Sequence, residues 1–251
     1  MTTLFFTACG NSLSVAKAIG GELYSIPQLV REGRYEFKDD VIGIVSPTYS
    51  SDLPKTEQAF LNKARLEADY IFVICTYGYN AGTVTNKARK HLENAGNRVD
   101  YIDKVLMLDT ALPRFEVSKE LEILPGKKVE EHVVAICENI KARKKGFPQV
   151  PVFDHLAGAA YVAAGKSGMM NALAKKTVVE DQCVKCGTCV KVCPTNNVTL
   201  TDRVSFGSNC ENCFACVMNC PKTAIHVRSE RSAARYRNPD VKLAEIIKAN
   251  S

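Results

Sequence analysis

No apolar run in this sequence is long enough to cross a membrane. The best candidate, "LAGAAYVAAG" at 156–165, is too short and is followed by Lys166. The opening "MTTLFFTACG" has no basic segment ahead of a long apolar stretch, so no signal peptide is expected. Hydrolytic signatures are also missing: there is no H-E-x-x-H pair and no Ser-His-Asp set. Gly158 and the "GKS" at 165–167 are separated by six residues rather than four, which excludes a P-loop. No basic stripe interleaved with aromatics points to nucleic acid. A cytoplasmic protein without membrane insertion is the expectation that remains.

Cysteine is abundant. Eight of the eleven fall between 183 and 220, while Cys9, Cys75 and Cys137 are scattered. In a cytoplasmic chain such a cluster argues for metal rather than disulfides. "CVKCGTCVKVCP" runs from Cys183 to Pro194, and "CENCFACVMNCP" repeats its metre from Cys210 to Pro221. Zinc sites use two separated pairs of ligands. Here each run has three cysteines on one tight loop and a fourth followed by proline, the C-x2-C-x2-C-x3-C-P pattern of iron–sulfur ligation. Gly187, Thr188 and Ala215 are small and let backbone amides approach cluster sulfurs.

Residues 175–228 therefore resemble the bacterial two-cluster ferredoxins. That resemblance implies two 4Fe-4S clusters with crossed ligands. Cys183, Cys186, Cys189 and Cys220 would hold one, and Cys210, Cys213, Cys216 and Cys193 the other.

The first 165 residues follow another rhythm. "LFF" at 4–6, "VIGIV" at 41–45, "YIFVIC" at 70–75 and "VLML" at 105–108 read as strands buried on both faces, with a weaker one through "ELYSI" at 22–26. Helices are predicted at about 12–19, from Pro54 onward burying Ala59, Phe60, the Lys63 stem and Ala64, at about 83–95, and at about 128–143. Strand alternating with helix predicts an α/β fold, a doubly wound parallel sheet of order 2-1-3-4-5. A smaller α+β unit would follow it.

The turn after the first strand is Thr7-Ala8-Cys9-Gly10-Asn11-Ser12, hydroxyl-rich and opening a helix, which suits a phosphate group. It lacks the G-x-G-x-x-G of dinucleotide folds. An αβ turn capped by Asn11 or Ser12 would look the same. "SPTYSSDLP" and "TYGYNAGT" follow the next two strands at the same sheet edge, where open α/β sheets bind ligands. They offer Tyr49 and either Tyr77 or Tyr79 for stacking, and Gly78 and Gly82 for close backbone approach. Ordinary loop aromatics are the alternative. "DTALPRF" at 109–115 could add a wall.

These loops resemble the FMN loops of flavodoxins. The first matches the phosphate loop at Thr7, Gly10, Asn11 and Ser12, and departs at Cys9, where the family usually has threonine. The resemblance implies an FMN site built from Thr7, Cys9, Gly10, Asn11, Ser12, Pro47, Thr48, Tyr49, Tyr77, Gly78 and Tyr79. The whole chain resembles fusions of a flavodoxin-like domain with a two-cluster ferredoxin, a family whose tail also resembles "RYRNP" at 235–239. The expected division is a flavodoxin-like domain at 1–165, a linker at 166–175, a ferredoxin-type domain at 176–228 and a basic tail at 229–251.

The resemblance implies electron transfer between FMN, the clusters and a redox partner. A flavin-dependent reductase of a small acceptor is one alternative. A ferredoxin carrying a flavin-free docking domain is another, kept open by Cys9. Residues 1–165 carry 20 basic and 20 acidic side chains, whereas 166–251 carry 13 and 7. This basic excess either steers an acidic partner or is a solvated surface and tail.

Overall fold

The computed structural model describes residues 1–151 and 177–251. The predicted linker at 166–175 and the end of the first predicted domain lie outside the described residues. The first part alternates strands and helices: β1 (Thr2–Phe5), α1 (Asn11–Ile19), β2 (Glu22–Ser25), α2 (Ile26–Glu32), β3 (Glu36–Lys38), β4 (Val41–Pro47), α3 (Lys55–Leu61), β5 (Arg65–Glu67), β6 (Tyr70–Tyr77), α4 (Val84–Asn94), β7 (Tyr101–Leu106), α5 (Val117–Ile123) and α6 (Val129–Lys141).

Five strands form one parallel sheet in the order β2-β1-β4-β6-β7. Counted along the sheet's own strands this is 2-1-3-4-5, the flavodoxin-like doubly wound order. β3 and β5 pair separately. Successive residues of each strand point to opposite faces, and both faces are covered. Phe5, Val45, Phe72, Ile74 and Val105 pack with Leu13 and Ala16 of α1 and Ile136 and Ile140 of α6. Leu4, Ile44, Ile71, Val73 and Ile102 pack with Leu29 of α2, Phe60 of α3 and Leu92 of α4. Double coverage is why these strands read as continuous apolar runs.

Two sequence expectations are corrected. The last strand is Tyr101–Leu106 rather than 105–108, because Asp103 and Lys104 interrupt its apolar run at the sheet edge. In α3, Ala59 and Lys63 are exposed. The buried set is Glu57, Phe60, Leu61 and Ala64, spaced i, i+3, i+4, i+7. A buried carboxyl in the first turn hid this phase. Pro54 stands at the N-cap rather than inside the helix.

The second part holds β8 (Thr177–Val179), α7 (Thr188–Lys191), β9 (Val198–Leu200), β10 (Val204–Phe206), α8 (Ala215–Met218), β11 (Ile225–Val227) and α9 (Leu243–Asn250). β8 pairs antiparallel with β11, and β9 with β10. The cysteine repeat, Cys183 to Cys210, is also a backbone repeat. Left-handed residues Lys185, Gly187 and Asn196 return as Asn212, Phe214 and Thr223, each 27 positions on.

The tail packs against both parts through one set of its residues. Tyr236, Val241, Ile246 and Asn250 are buried. Asn250 Nδ2 donates to Thr7 O at 3.0 Å and to Val192 O at 3.2 Å, tying both parts together. One hydrophobic cluster runs from the sheet through the cysteine unit into α9. Among the described residues no helix is long and apolar enough to cross a membrane.

Candidate functional site

The carboxyl ends of β1, β4, β6 and β7 open into one cleft, at the point where the strand order reverses. Its empty space is about 600 Å³, counted out to open solvent. The wall from the first loop is Thr7, Ala8, Cys9, Asn11 and Ser12. The second loop gives Pro47, Thr48 and Tyr49, the third Thr76, Tyr77 and Gly78, and the fourth Leu108 to Ala111. Of the aromatics expected here, Tyr49 and Tyr77 reach the cleft. Tyr79 is 69% exposed and leans on Phe115, ring centroids 5.4 Å apart, away from the lining. Gly10 does not line the cleft; it takes φ +97° as the N-cap of α1, a role that suits glycine.

The first loop is held from several sides. Gly10 N donates to Thr7 Oγ1 at 3.2 Å, and Ser12 Oγ lies 2.9 Å from Thr76 Oγ1. Asn11 Nδ2 donates to Leu108 O at 3.1 Å, fastening the first loop to the fourth. α1 opens with no side-chain cap on its first turn, at the end that meets the cleft through Asn11 and Ser12. Burial pushes the Cys9 thiol up to about 12, against an opposing hydrogen bond from Thr110, which makes Cys9 a neutral group at pH 7. Thr48 Oγ1 is buried and has no hydrogen-bond partner among the described residues. Such an atom, in the wall of a cleft, fits a polar ligand group.

Two supports were not legible in the sequence. Lys127 is buried and donates to Gly78 O at 3.0 Å, to Met107 O at 2.8 Å and to Glu120 Oε2 at 2.6 Å. It thereby locks the third and fourth loops together. The second support is the tail. Tyr236 OH donates to Asn11 Oδ1 at 2.9 Å, and Asn238 N donates to Cys9 O at 2.8 Å. No local pattern announces contacts that span more than 220 residues.

The remaining wall comes from the cysteine unit. Asn212, Cys213 and Phe214 line the same cleft. Thr56 N donates to Glu211 Oε1 at 2.6 Å and Asn219 Nδ2 to Ala8 O at 3.2 Å, which hold this loop against the sheet edge.

The eight clustered cysteines line two further cavities. One gathers Cys183, Cys186, Cys189 and Cys220; the other gathers Cys193, Cys210, Cys213 and Cys216. Among the described residues no three ligand-type groups converge as they would on a single ion. Each space is lined by four cysteines, a donor set that fits an iron–sulfur cluster. Backbone amides already point at sulfur: Asn197 N lies 3.2 Å from Cys193 Sγ, and Ala224 N 3.3 Å from Cys220 Sγ. The second cavity is the more enclosed. Desolvation pushes the Cys213 thiol well up, and Cys210 and Cys216 follow. Cys186 is exposed, and its pKa is pulled down by the Thr188 hydroxyl 3.3 Å away.

Residues 152–239, about a third of the chain, match the family model of the 4Fe-4S dicluster domain. This chain joins a sheet of flavodoxin-like strand order to a region that matches the 4Fe-4S dicluster model. Among curated proteins no match is found. Among solved structures, the fusion is similar to a flavoprotein in complex with FMN from Lactobacillus acidophilus NCFM. That match has 14% identity and a TM-score of 0.30, over 41% of this chain and 91% of the other. It is also similar to the two-electron reduced flavodoxin of Megasphaera elsdenii, with 17% identity and a TM-score of 0.32, over 48% and 95%. Rubredoxin oxygen:oxidoreductase from Desulfovibrio gigas matches at 12% identity and a TM-score of 0.35, over 57% and 36%. Scores this low carry no argument, and the fold assignment rests on the strand order itself.

Proposed function

We propose that the fusion is an electron-transfer protein, holding FMN in the interdomain cleft and two 4Fe-4S clusters in the cysteine cavities. One observation carries this reading: Cys213, a candidate cluster ligand, stands in the wall of the cleft that the flavodoxin-like loops form. Thr7, Cys9, Asn11 and Ser12 would take the FMN phosphate at the start of α1, with Gly10 shaping the turn as its left-handed N-cap. Pro47, Thr48, Tyr49, Tyr77 and Gly78 would enclose its ring. Cys183, Cys186, Cys189 and Cys220 would hold one cluster, and Cys193, Cys210, Cys213 and Cys216 the other. FMN supplies one- or two-electron exchange and each cluster single-electron exchange, so together they interconvert the two regimes.

The chain's own residues set distance and environment. Glu211, Asn219 and Tyr236 hold the cysteine unit and tail on the first loop. The amides of Asn197 and Ala224 raise the potential of whatever their cysteines bind. The first cavity lies nearer solvent, through Cys186. Val184 beside it is 56% exposed, and Lys185 and Lys222 line the same cavity. That face suits a redox partner with an acidic surface.

The test is a pulse delivering less than one electron per chain to anaerobic protein, followed by flavin and cluster absorbance. Exchange between the two signals at a rate independent of protein concentration is expected. A rate proportional to concentration would mean that the electron passes between chains and would overturn the shared-cleft reading.

A further inference from the structure

The two cysteine loops repeat each other in backbone but differ in side chain at a revealing position. α7 begins after Gly187, at φ +74° and ψ +1°. α8 begins after Phe214, at φ +57° and ψ +13°. Both residues are left-handed. At Gly187 the glycine meets this need without strain, and space is not the reason for it: an added Cβ would approach only Leu200 Cδ2, at 4.0 Å. At Phe214 a bulky side chain holds the same conformation, which is unfavourable for an L-residue. Strain of this kind persists where the surroundings over-determine it, and it concentrates at ligand sites.

The position of Phe214 says what the ring is for. It lines the interdomain cleft with Asn212 and Cys213, and it also lines the cavity of Cys193, Cys210, Cys213 and Cys216. Together with Asn212 and Cys213 it lines both spaces and so stands between them. Gly187, at the matching place, lines the cavity of Cys183, Cys186, Cys189 and Cys220 and not the interdomain cleft. Tyr49 and Tyr77 reach the cleft from the sheet side, while Phe214 reaches it from the other domain. Phe214 remains half-buried, so part of its ring surface is open to be covered.

We propose that Phe214 is a flavin-binding residue supplied by the cluster domain, covering the bound ring on the side away from the sheet and closing the wall between the two spaces against water. This rests on the reading that the cleft binds FMN. The flavin site is then complete only when both domains are present. An aromatic ring contributes both apolar area and favourable ring–ring geometry to such a contact.

The full chain, with clusters assembled under anaerobic conditions and flavin removed, is titrated with FMN and read by quenching of flavin fluorescence. Phe214→Gly should raise the FMN Kd by about tenfold or more. Its iron and sulfide content should be unchanged, and the flavin-free protein should melt no lower than wild type, because glycine relieves the left-handed strain. Phe214→Tyr should keep Kd within about twofold. Equal Kd for wild type and Phe214→Gly would overturn the proposal while leaving the FMN reading intact. Weak binding by Phe214→Tyr and Phe214→Gly alike, with both melting lower, would assign Phe214 to packing and overturn it too. A wild-type chain that takes up no FMN would remove both readings.

Discussion

Replacing Tyr236 with phenylalanine removes one hydroxyl and leaves the ring in place. The ring is buried, at 6% exposure, and its hydroxyl donates to Asn11 Oδ1 at 2.9 Å. The other donor to that oxygen is Asn238 Nδ2 at 3.4 Å, a long contact. The variant therefore leaves a buried amide oxygen poorly satisfied, which costs about 1–2 kcal/mol. In a chain of this size each kcal/mol moves the melting temperature by about 2–4 °C, so a fall of roughly 2–8 °C is expected. Asn11 also fastens the first loop to Leu108 O, so a looser Asn11 loosens the proposed phosphate site. FMN affinity should drop by roughly 5–30-fold if that cost falls on the bound state. Fluorescence titration and a melting curve measure both, with iron content as the control. Unchanged melting and unchanged Kd would refute the claim that the tail positions the loop. Lost iron with intact FMN binding would show that the tail acts instead on the cysteine unit, where Tyr236 N meets Met218 Sδ.

Cys193→Ala should damage the cluster of the 210–216 loop more than that of its sequence neighbours, read by EPR. Loss of the 183–189 signal alone would contradict crossed ligation. Gly78→Ala would place a Cβ 2.3 Å from Asp109 Cβ and 2.4 Å from its Cα. The third and fourth loops must then separate, at about 1–3 kcal/mol, lowering stability and FMN affinity without touching iron. Glu57 is fully buried and accepts from Ser46 Oγ at 2.6 Å, and burial pushes its pKa well above the carboxylate range. Its folded pKa exceeds its unfolded one, so its stabilising effect is complete below the unfolded pKa and is lost as pH rises through the window between them. Glu57→Gln should accordingly raise the melting temperature at pH 8, with the gain vanishing near pH 4. A lower melting temperature at pH 8 would mean that the carboxylate is ionised and needed.

What could be read from the sequence was whatever lies close together in it. Each buried strand is a continuous run because two helical layers cover it, and the cysteine metre is local to two loops. β7 was misplaced because an edge strand tolerates Asp103 and Lys104, which break the run. The phase of α3 was misread because Glu57 is buried, contrary to its type. The four sheet-end loops of the cleft were legible, since strand ends at a switch point converge whatever their sequence. The wall from the cysteine unit was not. Asn212, Cys213 and Phe214 read as parts of a cluster loop, and "RYRNP" as a family mark on a basic tail. That Tyr236 and Asn238 clasp the first loop depends on contacts between segments more than 220 positions apart. Lys127, in a turn between Gly126 and Lys128, gave no sign that it is buried among carbonyls.

The most direct measurement is cofactor content: iron, acid-labile sulfide and released flavin per chain, on protein purified without oxygen and offered FMN. The account predicts two four-iron clusters and one FMN. Full iron with no flavin retained would contradict it. The cleft would then be a docking surface for a partner, and Cys9→Thr would be the first variant to test for restored binding.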